Sequence, residues 1–375
     1  MEKFYNPVKI YQGVDCLQEL STVIEKINSH KVLLLTYNQE IINHVVIKDM
    51  LSHLKDVEVI HHVMEVSNPD LSDLHELYTK TNENQIDLVI AVGGGSVLDV
   101  AKSLCCLYGY DEQTQEEIRQ RIKNKEYENP KCPWIGMPTT SGTGSEVTCW
   151  ATIWDRQKDS KLSLENQDNY AYAVFVDPRL TTSMPLQLIV SSALDAVAHA
   201  TEAYWSKNTN TISRIYALKA IYTIFPHLER IVAGDHSLEN FDALSQGSML
   251  AGLAFSNTKT TACHSISYPL TLHYQIPHGV AVSLLLAPIM QANYELIDEV
   301  EDLLTAYGVE RVDQVAKKIQ RLLSSVNIET SLSQWGVQKE ELNDLTKHCF
   351  TAGRMENNPK DLTQDEVLSI LNKIY

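Results

Sequence analysis

The sequence predicts an α/β amino-terminal domain followed by an all-helical carboxy-terminal domain, and three observations carry that reading. Short apolar, β-rich runs alternate with helical patterns over the first part of the chain, as in a parallel sheet with crossover helices. Beyond Pro185 the strand-like alternation disappears and long helical periods run to the end. A length of 375 residues accommodates two ordinary domains, and the change of texture puts the expected boundary near residue 183, giving domains 1–183 and 184–375.

VLLLT at 32–36 reads as a buried strand, followed by a helical stretch to about residue 54. A second strand is expected over 57–61, then a helix over 70–84 opened by Asn68-Pro69. The strand at 88–92 runs directly into Gly93-Gly94-Gly95-Ser96, after which 97–107 has helical spacing. Residues 111–131 are dense in charge and read as a solvated helix or loop. Strands at 134–137 and 173–176 complete the first domain. Ser183-Met184-Pro185 predicts a helix start, with an N-cap followed by a first-turn proline. Helices are then expected over 186–205, 212–230, 238–253, 260–272, 280–296, 312–326 and 364–373.

Composition narrows the function classes. With 44% hydrophobic and 21% charged residues the chain reads as a soluble globular protein. A net charge of −17 leaves no basic surplus to displace counterions from phosphates, which argues against a nucleic-acid partner. An anionic small substrate would need a local cluster of Lys or Arg. Seven cysteines (Cys16, Cys105, Cys106, Cys132, Cys149, Cys263, Cys349) without CxxC pairing read as reduced thiols of a cytoplasm. The opening MEKFYNPVKIYQG has no apolar signal region, and the apolar stretch near 280–290 is too short to span a bilayer. A cytoplasmic protein with no membrane partner is expected, as a homodimer or higher homo-oligomer.

Two constellations carry chemistry. Asp195 and His199 lie four apart in SSALDAVAHATEAYW, which stacks both side chains on one helix face a turn apart. Carboxylate plus imidazole suits a divalent first-row cation such as iron or zinc. The same pair on an apolar helix equally allows a structural hydrogen bond. KTTACHSISYPLTLHYQIPHG adds His264 in a helical run and His278 between proline and glycine, with His273 and Tyr274 as competing polar residues. In the first domain, Gly93-Gly94-Gly95-Ser96 lets backbone approach phosphates at a helix start that favours anions, although a tight structural turn would read the same way. PTTSGTGSEVT at 138–148 is a second polar, glycine-spaced loop after a strand. Its Thr139, Thr140, Ser141, Thr143 and Ser145 can wrap a ribose or phosphate.

Taken together these motifs resemble the iron-containing (group III) alcohol dehydrogenases, in collinear order over essentially the whole chain. Asp195, His199, His264 and His278 fall on that family's Asp-x-x-x-His helix and its His-x13-His segment ending in Pro-His-Gly. GGGSVLDVAK matches the family's pyrophosphate motif GGGSxxDxxK through Asp99 and Lys102. The loop at 138–148 matches another signature, and AGLAFSN at 251–257 resembles the helix before the third ligand. The resemblance implies a Rossmann-like nucleotide-binding domain plus a helical metal domain, dehydroquinate-synthase-like overall. It implies Fe2+, with Zn2+ the other candidate, as metal and NAD(H) or NADP(H) as cofactor. The activity implied is hydride transfer between nicotinamide and a small aldehyde or alcohol. Two departures matter. Tyr268 stands where members commonly carry a further histidine; it can donate a proton but, with an ordinary pKa of about 10, is a poor base near neutrality. Tyr37 and Asn38 stand where an acid usually meets the ribose 2′-hydroxyl, so NADPH is expected to be tolerated.

ATIWDRQKDSKLSLENQ at 151–167 and CHSISYPLT at 263–271 look most like the branch that reduces phosphonoacetaldehyde to 2-hydroxyethylphosphonate. Such a dianion requires cations. Lys161 is the leading candidate at both cofactor and substrate, with Arg156, Lys158, Lys259 and Arg354 in reserve, against the ordinary fate of Lys and Arg as solvated surface charges. Glu202 is expected to support the metal site from behind or face solvent. The competing readings are a broad short-chain alcohol dehydrogenase of diol or lactaldehyde type, a dehydroquinate-synthase-like lyase, and a catalytically silent binding protein. The four-residue Asp/His site and the loop at 138–148 disfavour the lyase.

Overall fold

The first part of the chain forms strands β1 (Lys9–Gln12), β2 (Lys31–Thr36), β3 (Glu58–Val63), β4 (Leu88–Gly93), β5 (Trp134–Pro138), β6 (Trp150–Asp155), β7 (Ser160–Glu165) and β8 (Ala173–Val176), and the apolar runs of the sequence account for β2, β3, β4, β5 and β8. The structure is a computed structural model that describes residues 1–375 except positions 53, 55, 56, 66, 112, 113, 129 and 159. Six strands form one parallel sheet in the order β1-β8-β5-β4-β2-β3, and β6 and β7 form an antiparallel hairpin. Helices α1 (Leu20–Ile27), α2 (Val45–Ser52), α3 (Leu71–Thr81), α4 (Gly95–Leu107) and α5 (Gln115–Asn124) belong to the same part of the chain. β4 and β5 are buried at every position, which is why they read as continuous apolar runs rather than alternating ones. Val32, Leu34, Ile90 and Val92 share one core with Leu20, Val23 and Ile47 of the helices, so the alternate residues of β2 and β4 point to the other face.

Strand order explains where the sheet can take a ligand. β2 connects outward to β3, whereas β4 connects in the opposite direction to β5, so the sheet's switch point lies between the carboxyl ends of β2 and β4. The register aligns Thr36 with Val92 and Gly93 with Pro138. Tyr37, the run from Gly93 to Ser96, and Thr139 therefore leave the sheet side by side.

Thr182–Tyr375 form a helical unit together with Met1–Tyr5 and Ser141–Gly144, while Asn6–Thr140 and Ser145–Thr181 make up the α/β unit. The helices of the second unit are α6 (Leu186–Trp205), α7 (Thr211–Val232), α8 (Leu238–Thr258), α9 (Ala262–Tyr274), α10 (His278–Asn293), α11 (Val300–Tyr307), α12 (Val312–Ser325), α13 (Leu342–Leu345) and α14 (Gln364–Lys373). α6 is buried almost throughout and packs against α7, α8 and α10. Among the described residues no helix is long and apolar enough to cross a membrane, and all seven cysteines are free.

Four local expectations need correction. Pro185 is itself the N-cap of α6, not a first-turn residue, and neither it nor Ser183 supplies a capping side chain. The charged segment at 111–131, whose positions 112, 113 and 129 lie outside the described residues, contains α5, and this helix is not wholly solvated. Ile118, Arg119 and Ile122 are buried, and Arg119 makes a bidentate pair with Asp155 of β6 at 2.6 and 3.0 Å. β1, β6 and β7 are strands without a sequence expectation. They carry lysines, glutamines and charged residues that blur an apolar run, and pairing with a neighbour decides them. Finally, α11 has only eight residues, too few for its period to stand out.

Candidate active site

A nearly fully apolar α6 buries Asp195 and His199 one turn apart, at 4% and 7% exposure. His199 Nδ1 lies 3.9 Å from Asp195 Oδ2, too far for a hydrogen bond, so the pair is not a mutually satisfied structural one. α9 brings in His264, buried, with Nε2 3.6 Å from Asp195 Oδ1. The first residue of α10, His278, places Nε2 3.8 Å from the same oxygen and is the most exposed of the four. Ligand atoms of Asp195, His199 and His264 lie within 4.8 Å of one another. His273, the competing histidine, is exposed and sits beside His348 instead.

Gly279 makes the approach of α10 possible. A Cβ there would stand 2.0 Å from the Ser191 carbonyl oxygen and 3.1 Å from the Asp195 Cβ. Only glycine lets the start of α10 touch α6 at the level of Asp195. Ser141–Gly144 comes in from the other side. A Cβ on Gly144 would fall 2.5 Å from the Gly252 Cα of α8, and one on Gly142 would fall 2.7 Å from the Ser192 Cβ of α6. Phe255, from the AGLAFSN segment, stacks on His199 with ring centroids 4.2 Å apart, and His264 stacks on His199 at 4.5 Å.

Whether these residues suit a cation is answered by their unused atoms. Asp195 Oδ1, His199 Nδ1 and His264 Nε2 are all buried with no hydrogen-bond partner, a costly arrangement for groups taken out of water. Three lone pairs converging from a carboxylate and two imidazoles fit a divalent first-row cation. The electrostatics agree. Burial pushes the His199 imidazole down to about 4, so its ring is neutral and offers a lone pair at neutral pH. Burial opposes ionisation of Asp195, but the imidazoles of His199, His278 and His264 hold its carboxyl well below the usual range.

Glu202, at the end of α6, is fully buried, so the solvent-facing alternative is wrong. Its Oε2 meets His264 Nδ1 in a hydrogen bond, while its Oε1 accepts from the Thr261 hydroxyl at 2.7 Å and the Cys263 N–H at 2.8 Å. Burial alone would push His264 down, but the carboxylates of Glu202 and Asp195 override it and take the imidazole up to about 10, so a cation binding at Nε2 displaces a proton there while Nδ1 keeps its own against Glu202. A sequence signal for Glu202 existed: Asp195, His199 and Glu202 stand at i, i+4 and i+7 on one face of an apolar helix.

Of the nucleotide candidates, Tyr37, Gly93–Ser96 and Thr139 lie at the switch point. Gly94 caps the thirteen-residue α4, Ser96 Oγ accepts from the Asn68 N–H at 3.2 Å, and the Thr139 N–H donates to the Gly93 carbonyl at 3.1 Å. Tyr37 is half-buried against the core beside them. Asp99 and Ser145 are engaged within the protein. Asp99 accepts from the Ser145 hydroxyl at 2.6 Å and from the Thr152 N–H at 2.9 Å. Lys102 is completely buried and donates to Ser145, Thr148 and the Trp150 carbonyl at 2.7, 3.0 and 2.9 Å, which ties α4 to the loop and the hairpin. Ser141 bonds Ser245 at 3.1 Å within the helical unit, where Thr143 also belongs; Thr140 stays with the α/β unit. Lys161 lies on β7 opposite Trp154, its Nζ 5.7 Å from the Trp154 ring centroid. Tyr268 stacks on His278, with centroids 6.0 Å apart.

A dinucleotide-type sheet and a buried Asp/His cation cradle on one chain define a metal- and nicotinamide-dependent oxidoreductase. Comparison with known proteins gives the family. The sequence profile described as "Iron-containing alcohol dehydrogenase" matches residues 7–178, and that described as "Fe-containing alcohol dehydrogenase family, C-terminal" matches 189–375. A 4-hydroxybutyrate dehydrogenase of Clostridium kluyveri is 30% identical over 323 residues, covering 83% of this chain and 84% of its own. An NADPH-dependent butanol dehydrogenase of Clostridium saccharobutylicum is 27% identical over 100% of this chain and 98% of its own. The solved sulfoacetaldehyde reductase of Bifidobacterium kashiwanohense, in complex with NAD+, superposes with a TM-score of 0.91 at 26% identity, covering 100% and 98% of the two chains. This chain belongs to the iron-containing alcohol dehydrogenase family and is an oxidoreductase acting on alcohols and aldehydes.

Proposed function

We propose that this chain interconverts a short aldehyde with an anionic terminus and its alcohol, using NAD(P)(H) and a divalent iron ion held by Asp195, His199, His264 and His278. The observation that carries the metal assignment is the convergence of unpartnered Asp195 Oδ1, His199 Nδ1 and His264 Nε2 in one buried pocket. When bound, iron supplies Lewis acidity at the carbonyl oxygen and nicotinamide supplies the hydride. The protein's part is to hold and to orient. Burial keeps His199 neutral for ligation, and Gly279 lets His278 reach the cluster. Tyr268, stacked on His278, is the proton or hydrogen-bond donor toward the product oxygen. Gly93–Ser96, with Thr139, Thr140, Ser141, Thr143 and Ser145 of the second loop, positions the dinucleotide. Support comes from the place of Tyr37, Gly93–Ser96 and Thr139 at the switch point and from relatives that are NADPH-dependent or bind NAD+. Tyr37, in place of an acid, leaves a 2′-phosphate unrepelled, so both cofactors are accepted.

Phosphonoacetaldehyde is the proposed substrate, with Lys161 as its cation. The relative named sulfoacetaldehyde reductase supports this, because sulfoacetaldehyde is likewise a two-carbon aldehyde carrying an anionic head. The alternative, a broad short-chain alcohol dehydrogenase, is favoured by the butanol dehydrogenase relative. An aldehyde panel of phosphonoacetaldehyde, sulfoacetaldehyde and propionaldehyde, run with Fe2+ and with NADH and NADPH in parallel, decides between them. A kcat/KM at least tenfold higher for the anionic aldehydes is expected; preference for propionaldehyde would end the anionic-substrate reading.

A further inference from the structure

We infer that Glu202 is a positioning residue that locks His264 in the one tautomer able to bind metal, and that its charge, not its bulk, does so. The inference rests on the proposed metal site. Among the described residues, those facing Oε1 of Glu202 are donors: the Thr261 hydroxyl, the Cys263 N–H, and more distantly the His264 N–H at 3.4 Å. The hydroxyl has no freedom to turn round. The Trp205 indole N–H, which can only donate, bonds Thr261 Oγ1 at 2.9 Å, so the Thr261 proton points to Glu202. Oε2 faces His264 Nδ1, and a carboxylate there accepts, which keeps the proton on Nδ1. Nε2, the atom turned toward Asp195 and without a partner, is left with the lone pair.

The geometry makes an isosteric amide worse than no side chain. In Glu202→Gln the donors around Oε1 force the amide oxygen into that position, so the NH2 group must occupy the place of Oε2. It then donates to His264 Nδ1, the ring proton moves to Nε2, and the ligand atom is blocked. Glu202→Ala imposes no tautomer, and a metal ion can still select the Nε2 lone pair at the cost of a less ordered ring. A residue that only filled space or braced the helix would give the reverse order.

Two measurements on the full-length chain test this. The first is Zn2+ affinity by chelator competition. Wild type is expected to bind most tightly, E202A about 10-fold more weakly and E202Q about 100-fold more weakly. The second is proton NMR of metal-free protein labelled with 15N-histidine. A downfield Nδ1–H resonance that vanishes in H264A marks the Glu202 bond; E202Q is expected to lose it. E202Q binding Zn2+ as tightly as a Zn2+-binding wild type, or more tightly than E202A, overturns the inference alone, as does an Nδ1–H resonance that persists in E202Q. A wild type that binds no Zn2+ overturns the metal assignment and this inference together. Should E202A not fold, wild type against E202Q decides by both readouts.

Discussion

Gly279→Ala adds one methyl group at the point where the start of α10 meets α6. The new Cβ would lie 2.0 Å from the Ser191 carbonyl oxygen and 2.8 Å from its carbon, both backbone atoms that cannot swing aside. Restoring ordinary contact requires α10 to retreat by about 1.4 Å, since close-packed helices have no void to take up the atom. His278 is the neighbouring residue and moves with the backbone, while Asp195 and His199 stay on α6. A displacement of that size removes His278 from a ligand sphere whose bonds tolerate roughly 0.2 Å. Overpacking should cost about 1–3 kcal/mol of stability, a fall of several degrees in the melting temperature of the metal-free protein. Metal content per chain, by elemental analysis after dialysis against limiting Fe2+, should fall well below wild type, and the stabilisation conferred by added metal should shrink with it. Wild-type metal content together with an unchanged melting temperature would refute the reasoning, because α10 would then not be held against α6 as described.

Four further outcomes are expected. His278→Ala should abolish activity and bound metal with the fold largely intact; circular dichroism and elemental analysis check it, and full metal content would remove His278 from the ligand set. Tyr37→Asp should shift relative kcat/KM from NADPH toward NADH by repelling the 2′-phosphate, and an unchanged ratio would place the ribose elsewhere. Lys161→Ala should lower kcat/KM about thirty- to a thousandfold for phosphonoacetaldehyde, roughly 2–4 kcal/mol, with little effect on propionaldehyde. Equal losses with both would move Lys161 to the cofactor. Lys102→Met should leave the Ser145, Thr148 and Trp150 oxygens without their buried donor and cost about 1–3 kcal/mol in urea unfolding, and no measurable loss would show that the α4–hairpin tie is dispensable.

Local pattern determined much of this protein before any contact was known. The apolar runs of β2, β4 and β5 are legible because both faces of a parallel strand are buried, and the bounds of α6 and α14 follow from unbroken helical period. Asp195 and His199 were readable as a pair because a spacing of four is fixed by the helix itself. What a one-dimensional pattern could not distinguish was a cation cradle from a satisfied Asp–His hydrogen bond, since both have the same spacing. Only packing decided it, by holding the two groups 3.9 Å apart and aiming their free atoms at His264, sixty-five residues further on. Burial was equally hidden in Lys102 and Arg119. Long cationic side chains are ordinarily solvated, and their partners at Ser145 and Asp155 come from segments far along the chain. The edge strand β1 and the hairpin β6–β7 stayed illegible for the same reason: a strand of mixed polarity is stabilised by the strand beside it, and which strand that is belongs to the tertiary fold.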